Sequence, residues 1–252
     1  MHVEFLHKKL VISESVFGPG AYGDSYTIAG EDKEFLRPLV VYIGGSISDK
    51  IYEARRETAP TAVAREFLAA AGDTPAADLL ICPFPAPSRT PSGDGVEPGK
   101  RPDGVLLLTE GSWQSVLRMR FLVHLVSELL RARGAPLPSA IAFLGFSAGA
   151  YLAFGLALDL PKAKGAAVFG GTSMSEAVAQ SHPDSFRGKQ FLALAGDDDP
   201  LAPNASECSS LLCRLGGQAE TRLVQAGHSF QEYAGCGAVR ECFAFTLGLL
   251  LK

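Results

Sequence analysis

Apolar positions in this chain fall into two kinds of block. Leu39 to Ile43, Asp78 to Cys82, Ala140 to Phe146, Lys164 to Phe169 and Gln190 to Ala195 are short and nearly continuous in apolar character. Such runs suit strands buried on both faces. Longer stretches between them carry helical spacing. Thr58 to Ala71 places Val63, Phe67 and Ala70 on one face, and Trp113 to Arg133 reads as a long amphipathic helix. Ala148 to Leu158, Ala205 to Leu215 and Gly237 to Leu251 complete the predicted helices, and Glu220 to Val224 adds a strand. Val3 to Ser13 and Ser25 to Ala29 predict two early strands, with a turn region at Gly18 to Gly20 between them. Pro83, Pro85 and Pro87 stop the strand before them, and Ser88 to Asp103 is a loop rich in Pro, Gly and charge. Strands alternating with helices predict an α/β fold: a mostly parallel central sheet with helices on both faces. No internal repeat and no linker divides the chain, so residues 1–252 are expected to form one domain.

Composition narrows the function classes. The 252 residues are 47 % hydrophobic and 20 % charged, enough for one large core. A net charge of −4 offers no basic field for nucleic acid. Ala140 to Leu158 carries no charge and is long enough to imitate a membrane span. Two glycines and a serine interrupt its middle and no basic flank borders it, so a buried strand followed by a buried helix explains the same letters. The first residues lack the apolar core of a signal peptide. Five cysteines with no Cys-x-x-Cys pair read as reduced, mostly packing residues, which predicts a cytoplasmic protein without a zinc site.

Gly145, Phe146, Ser147, Ala148 and Gly149 form a Gly-x-Ser-x-Gly pattern between the predicted strand and helix. As a bare pattern this is weak, and a glycine-rich turn with a solvated serine competes with it. The context gives it meaning. A serine at a sharp strand-to-helix corner holds its hydroxyl clear of the backbone, and the flanking glycines let strand and helix approach closely.

A serine hydroxyl needs a base to take its proton and a third group to orient that base. In the elbow arrangement both follow the serine, each in a loop after a later strand. Asp199 lies past the strand ending at Ala195, in the run Gly196 to Pro203, with Asp198 as the main substitute. A solvated acidic turn would also use three consecutive aspartates. His228 lies past the strand ending near Val224. The other histidines fit less well: His2 and His7 are in the first strand, His124 is mid-helix, and His182 precedes the acid. For a developing oxyanion, the backbone N–H of Ala148 sits at a helix start, where amides are free and the dipole favours negative charge. A second donor is expected from the loop after Ile43, at Gly45 or Ser46.

These three motifs, around Ser147, Asp199 and His228, resemble the α/β-hydrolase superfamily, in the small branch near dienelactone hydrolases and the phospholipase/carboxylesterase group. The resemblance runs from the Leu39 strand to the C-terminal helix. It implies a mostly parallel sheet whose early strands are antiparallel, with no inserted cap domain and the loop Ser88 to Ser112 as the one candidate lid. Family members commonly carry His-Gly after the third strand, where this chain has Ile43 and Gly44.

The expected chemistry is acyl transfer through a covalent acyl-enzyme, with Ser147 as nucleophile, His228 as base and Asp199 as orienting acid. It needs no metal and no organic cofactor. Phe146, Trp113, Met174 and Phe230 are candidate pocket residues, though each residue type is more often core. An apolar pocket suits a small-molecule carboxylic ester or thioester. Peptidase, lactonase and acyltransferase chemistries use the same residues, and a non-catalytic binding protein on the same scaffold is the competing class. The sequence leaves the oligomeric state open.

Overall fold

The computed structural model describes residues 5–11, 22–28, 37–45, 59–72, 77–82, 138–170 and 186–252. Within them lie strands β1 (Phe5–Val11), β2 (Tyr22–Ile28), β3 (Leu39–Ile43), β4 (Asp78–Cys82), β5 (Ile141–Phe146), β6 (Ala163–Phe169), β7 (Gln190–Gly196) and β8 (Gln218–Val224). The helices are α1 (Ala59–Ala71), α2 (Ala148–Asp159), α3 (Ala202–Arg214), α4 (Phe230–Gly235) and α5 (Ala238–Leu250). The predicted helix Trp113 to Arg133 and the loop Ser88 to Ser112 lie outside the described residues.

The strands form one sheet in the order β1-β2-β4-β3-β5-β6-β7-β8. β1 pairs antiparallel with β2, and β2 antiparallel with β4. From β4 to β8 every pairing is parallel. The fold is therefore the mostly parallel α/β architecture that the alternating elements predict, with its antiparallel strands at the N-terminal edge.

Period-two alternation sorts the apolar runs into two cores, because successive side chains leave a strand on opposite faces. Leu39, Val41, Ile43, Ile141, Phe143, Val168, Phe191 and Ala193 face the first core, which α2 and α3 cover through Leu152, Leu156, Cys208 and Leu212. Val40, Tyr42, Ala142, Leu144, Phe169, Leu192 and Leu194 face the second, covered by α1 and α5 through Val63, Phe67, Val239 and Phe243. Fully burying an aliphatic or aromatic side chain contributes roughly 1.5–3 kcal/mol, so these doubly covered strands carry most of the fold's stability. β8 differs. Among the described strands it pairs only with β7, its side chains are exposed or half-buried, and Leu223 stands 71 % exposed.

α2 is apolar all round, as a helix wedged inside a core must be. It is capped electrostatically from outside. The Lys189 ammonium donates to the Ala157 carbonyl at 2.5 Å, beside the Leu158 and Leu160 carbonyls. A cation there complements the negative end of the helix dipole, whose positive end opens at Ser147.

Several boundaries differ from the sequence reading: β2 starts at Tyr22 and β8 at Gln218, ahead of the predicted Ser25 and Glu220. α3 starts three residues earlier than predicted, at Ala202, because Pro203 sits in its first turn, where a missing N–H leaves no bond unmade. The closing helix is preceded by a separate six-residue helix, α4, and Gly237 at φ 84° breaks the chain between them. Cys82, Cys208 and Cys242 are buried, Cys213 and Cys236 are exposed, and all five are free thiols.

Candidate active site

Ser147 stands at the corner between β5 and α2 with φ 53° and ψ −121°. Among the described residues it is the one non-glycine residue with positive φ. Such a conformation costs on the order of 1–3 kcal/mol and persists only where its surroundings enforce it. Here the enforcement is steric. A Cβ on Gly145 would lie 2.3 Å from the Gly149 carbonyl oxygen, and a Cβ on Gly149 would lie 2.3 Å from the carbonyl oxygen of Ile43. No larger residue fits either place without moving backbone. The Ser147 N–H donates to the Phe169 carbonyl at 3.1 Å, and its carbonyl accepts the Ala150 N–H at 2.9 Å. The turn is thereby fixed to β6 on one side and to its own helix on the other.

Asp199 and His228 come to the same rim from the carboxyl ends of β7 and β8, the edge of an open α/β sheet where crevices form. Ser147 Oγ lies 3.0 Å from His228 Nε2, and His228 Nδ1 lies 2.9 Å from Asp199 Oδ2. Asp199 is 3 % exposed. The imidazole is a third exposed, open to solvent on one side and flat against the Phe146 ring on the other (centroids 5.6 Å apart, planes 29° apart).

The three consecutive aspartates have three different jobs. Asp197 clasps the neighbouring loop: its N–H donates to the Val224 carbonyl at 2.9 Å and its Oδ1 accepts the Ala226 N–H at 3.1 Å. Asp198 has its side chain exposed, with its N–H donating to Asp197 Oδ1. Asp199 turns inward, where its Oδ1 accepts the Leu201 N–H at 2.9 Å. Of the three, Asp199 is the one bonded to the imidazole.

The other residues singled out from sequence fall in several places. Gly45 packs against the serine: a Cβ on it would lie 3.0 Å from Ser147 Cβ. Ala148 is the first residue of α2, beside the serine. Ser46, Trp113 and Met174 lie outside the described residues. Phe146 and Phe230 are half-buried members of an aromatic cluster. Phe146 stacks on Phe169 at 5.1 Å and meets Phe230 and Tyr233 edge-on at 6.4 and 6.3 Å. This cluster floors the imidazole.

One neighbour of the acid was not foreseen. The Tyr233 hydroxyl donates to Asp199 Oδ2 at 2.9 Å and accepts the Gly196 N–H at 2.7 Å. Burial, and then the hydrogen bond to Asp199, push its phenol pKa far above the ordinary tyrosine value. It arrives on α4, whose start was legible: Ser229 and Glu232 make a capping box, with Ser229 Oγ accepting the Glu232 N–H at 3.2 Å and donating to the Glu232 carboxylate. Among the described residues no group of three or more His, Cys, Asp or Glu is placed to hold a metal ion. None of the described helices is long and apolar enough to cross a membrane.

No protein-family model and no curated protein matches the chain. Solved structures do. A ferulic acid esterase aligns over 99 % of both chains with a TM-score of 0.60 at 12 % identity. Carboxyl esterase 2 of Tuber melanosporum aligns over 98 % of this chain and 86 % of its own, with a TM-score of 0.62 at 14 % identity. The carboxylesterase of Bacillus cereus aligns over 92 % and 97 %, with a TM-score of 0.53 at 16 % identity. The chain has the α/β-hydrolase fold. At these identities the likeness is one of backbone, and what an α/β-hydrolase scaffold does is decided by the side chains at its rim.

Proposed function

We propose that this α/β-hydrolase-fold protein is a serine hydrolase of small carboxylic esters or thioesters. The observation that carries the reading is the unbroken line from Ser147 Oγ through the His228 ring to Asp199 Oδ2, with steps of 3.0 and 2.9 Å. A general base must lie within about 2.6–3.2 Å of the atom whose proton it takes, and the first step satisfies this without any side chain moving; the second is a hydrogen bond that orients the ring. The names of the structural neighbours, ferulic acid esterases and carboxylesterases, add support for an ester as substrate.

In this reading Ser147 Oγ attacks the substrate carbonyl carbon while His228 Nε2 takes its proton. Asp199 accepts the Nδ1–H, which holds the ring in the tautomer whose Nε2 is free, and stabilises the imidazolium that forms. The Ala148 N–H, at the positive end of the α2 dipole, donates to the oxyanion. The loop at Gly45 and Ser46 supplies the second donor; one such donor is worth about 3 kcal/mol in the transition state. His228 then protonates the leaving alcohol or thiol. Water, activated by the same imidazole, releases the acid and restores Ser147. No step calls on a cofactor.

A fluorophosphonate probe tests the reading directly. It should label the protein once, at Ser147, and leave Ser147→Ala unlabelled. Hydrolysis of p-nitrophenyl butyrate should fall about 10⁶-fold in Ser147→Ala. A label mapped elsewhere, or equal rates for the two proteins, defeats it.

A further inference from the structure

Proton directions around Asp199 are fixed by groups that have no choice. The Gly196 N–H can only donate, so the Tyr233 oxygen accepts it, and the phenol's own proton goes to Asp199 Oδ2. The Leu201 N–H can only donate, so Oδ1 accepts. Both carboxylate oxygens are therefore acceptors, and the imidazole meets Oδ2 with Nδ1–H. In the neutral ring Nε2 then carries no proton and faces the Ser147 hydroxyl as an acceptor.

Tyr233 is fully buried, and its ring packs on Phe169 at 5.4 Å and on Phe146 at 6.3 Å. The phenol is thus clamped as a body, and its hydroxyl has one orientation. The capping box that starts α4 involves Ser229, the residue after His228. One short helix consequently fixes the loop bearing the imidazole and delivers the hydroxyl that holds the carboxylate.

We propose that Tyr233 is a positioning residue for this site: locked between the Gly196 N–H and Asp199 Oδ2, its hydroxyl aims the carboxylate at His228. The inference rests on the proposed roles of Ser147, Asp199 and His228. Without the hydroxyl, Oδ2 keeps a single donor, and the carboxylate pivots about its bond to the Leu201 N–H.

The test uses the full chain with Tyr233→Phe, which keeps the ring and removes the donor. With p-nitrophenyl butyrate, kcat should fall roughly tenfold to hundredfold, the scale expected of sub-ångström misplacement. KM should stay within about twofold, because the hydroxyl does not touch substrate. The proton NMR resonance of His228 Nδ1–H should broaden by exchange with solvent. Thr246→Val is the control. Thr246 is buried, bonds the Phe243 carbonyl at 2.9 Å and lies away from the rim, so it should lower Tm and leave kcat and the resonance alone. Loss of kcat in Thr246→Val equal to that in Tyr233→Phe, or an unchanged kcat or resonance in Tyr233→Phe, overturns the proposal. Should Tyr233→Phe not fold, 3-fluorotyrosine at position 233 keeps the shape and strengthens the donor. It should draw charge from Oδ2 and move the Nδ1–H resonance upfield, and an unmoved resonance again overturns the proposal. The resonance needs no substrate. An absence of turnover in the wild type therefore defeats the esterase reading, whereas the resonance reports on Tyr233 by itself.

Discussion

At the end of β5 the chain turns through a strained residue held by close packing as well as hydrogen bonds, whereas at the ends of β7 and β8 the loops are pinned by side-chain hydrogen bonds. At the serine corner Gly145 and Gly149 let strand and helix approach more closely than any larger residue allows, and Ser147 carries the positive φ. Among the described residues, the two loops beside it hold no non-glycine residue at positive φ. They are pinned by Asp197 to the Ala226 N–H, by Leu201 and Tyr233 to Asp199, and by the Ser229–Glu232 capping box. A steric constraint acts on whatever side chain occupies the corner. A polar constraint acts only while each donor keeps its acceptor. The fold of the Ser147 corner should therefore resist changes of volume at its glycines, and the arm carrying Asp199 and His228 should be the more sensitive to changes of polar chemistry.

The sharpest break is chemical. Asp199→Asn conserves volume but presents an amide to a ring that needs an acceptor. Activity on p-nitrophenyl butyrate should fall about 10⁴-fold, with the circular dichroism spectrum unchanged. Asp198→Asn, at the exposed neighbour, is the companion variant and should leave the rate within about twofold, since exposed substitutions away from such contacts change little. Equal losses in the two would erase the distinction among the three aspartates. Next comes volume at the corner. Gly149→Ala should lower unfolding free energy by about 3 kcal/mol in urea titration, because the added methyl meets backbone that cannot retreat. A midpoint equal to wild type would show that the corner is not sterically set. The smallest effect belongs to the clasp between loops. Asp197→Ala leaves the Ala226 N–H without its carboxylate and should reduce stability by about 1–2 kcal/mol. Its activity loss should be smaller than that of Asp199→Asn.

The same contrast explains what the sequence could disclose. A steric device must be written in local letters. The small residues around Ser147, the apolar strand before it and the apolar helix after it are contiguous, and strands covered on both faces announce themselves as unbroken runs such as Leu39 to Ile43. A hydrogen-bonded device joins residues that the fold alone brings together. Tyr233 reaches Asp199 across 34 positions of chain, and nothing near Tyr233 in sequence advertises an acid partner. α4 is too short to show a helical period, and its one readable sign was the Ser229–Glu232 spacing. The sequence favoured Asp199 and kept Asp198 as a substitute, because identical neighbouring side chains differ only in the direction the turn gives them. Pro203 misled in the other direction: as a loop residue it delays the start of α3, yet it belongs to the first turn.

His228 hangs from β8, the outermost ribbon of the sheet, whose alternate side chains face solvent rather than a core. Sheet margins peel before centres do. Mild heating or dilute urea should thus disarm the imidazole while the inner strands remain folded. Opening of that one border would part His228 from Ser147 before the interior of the sheet gives way.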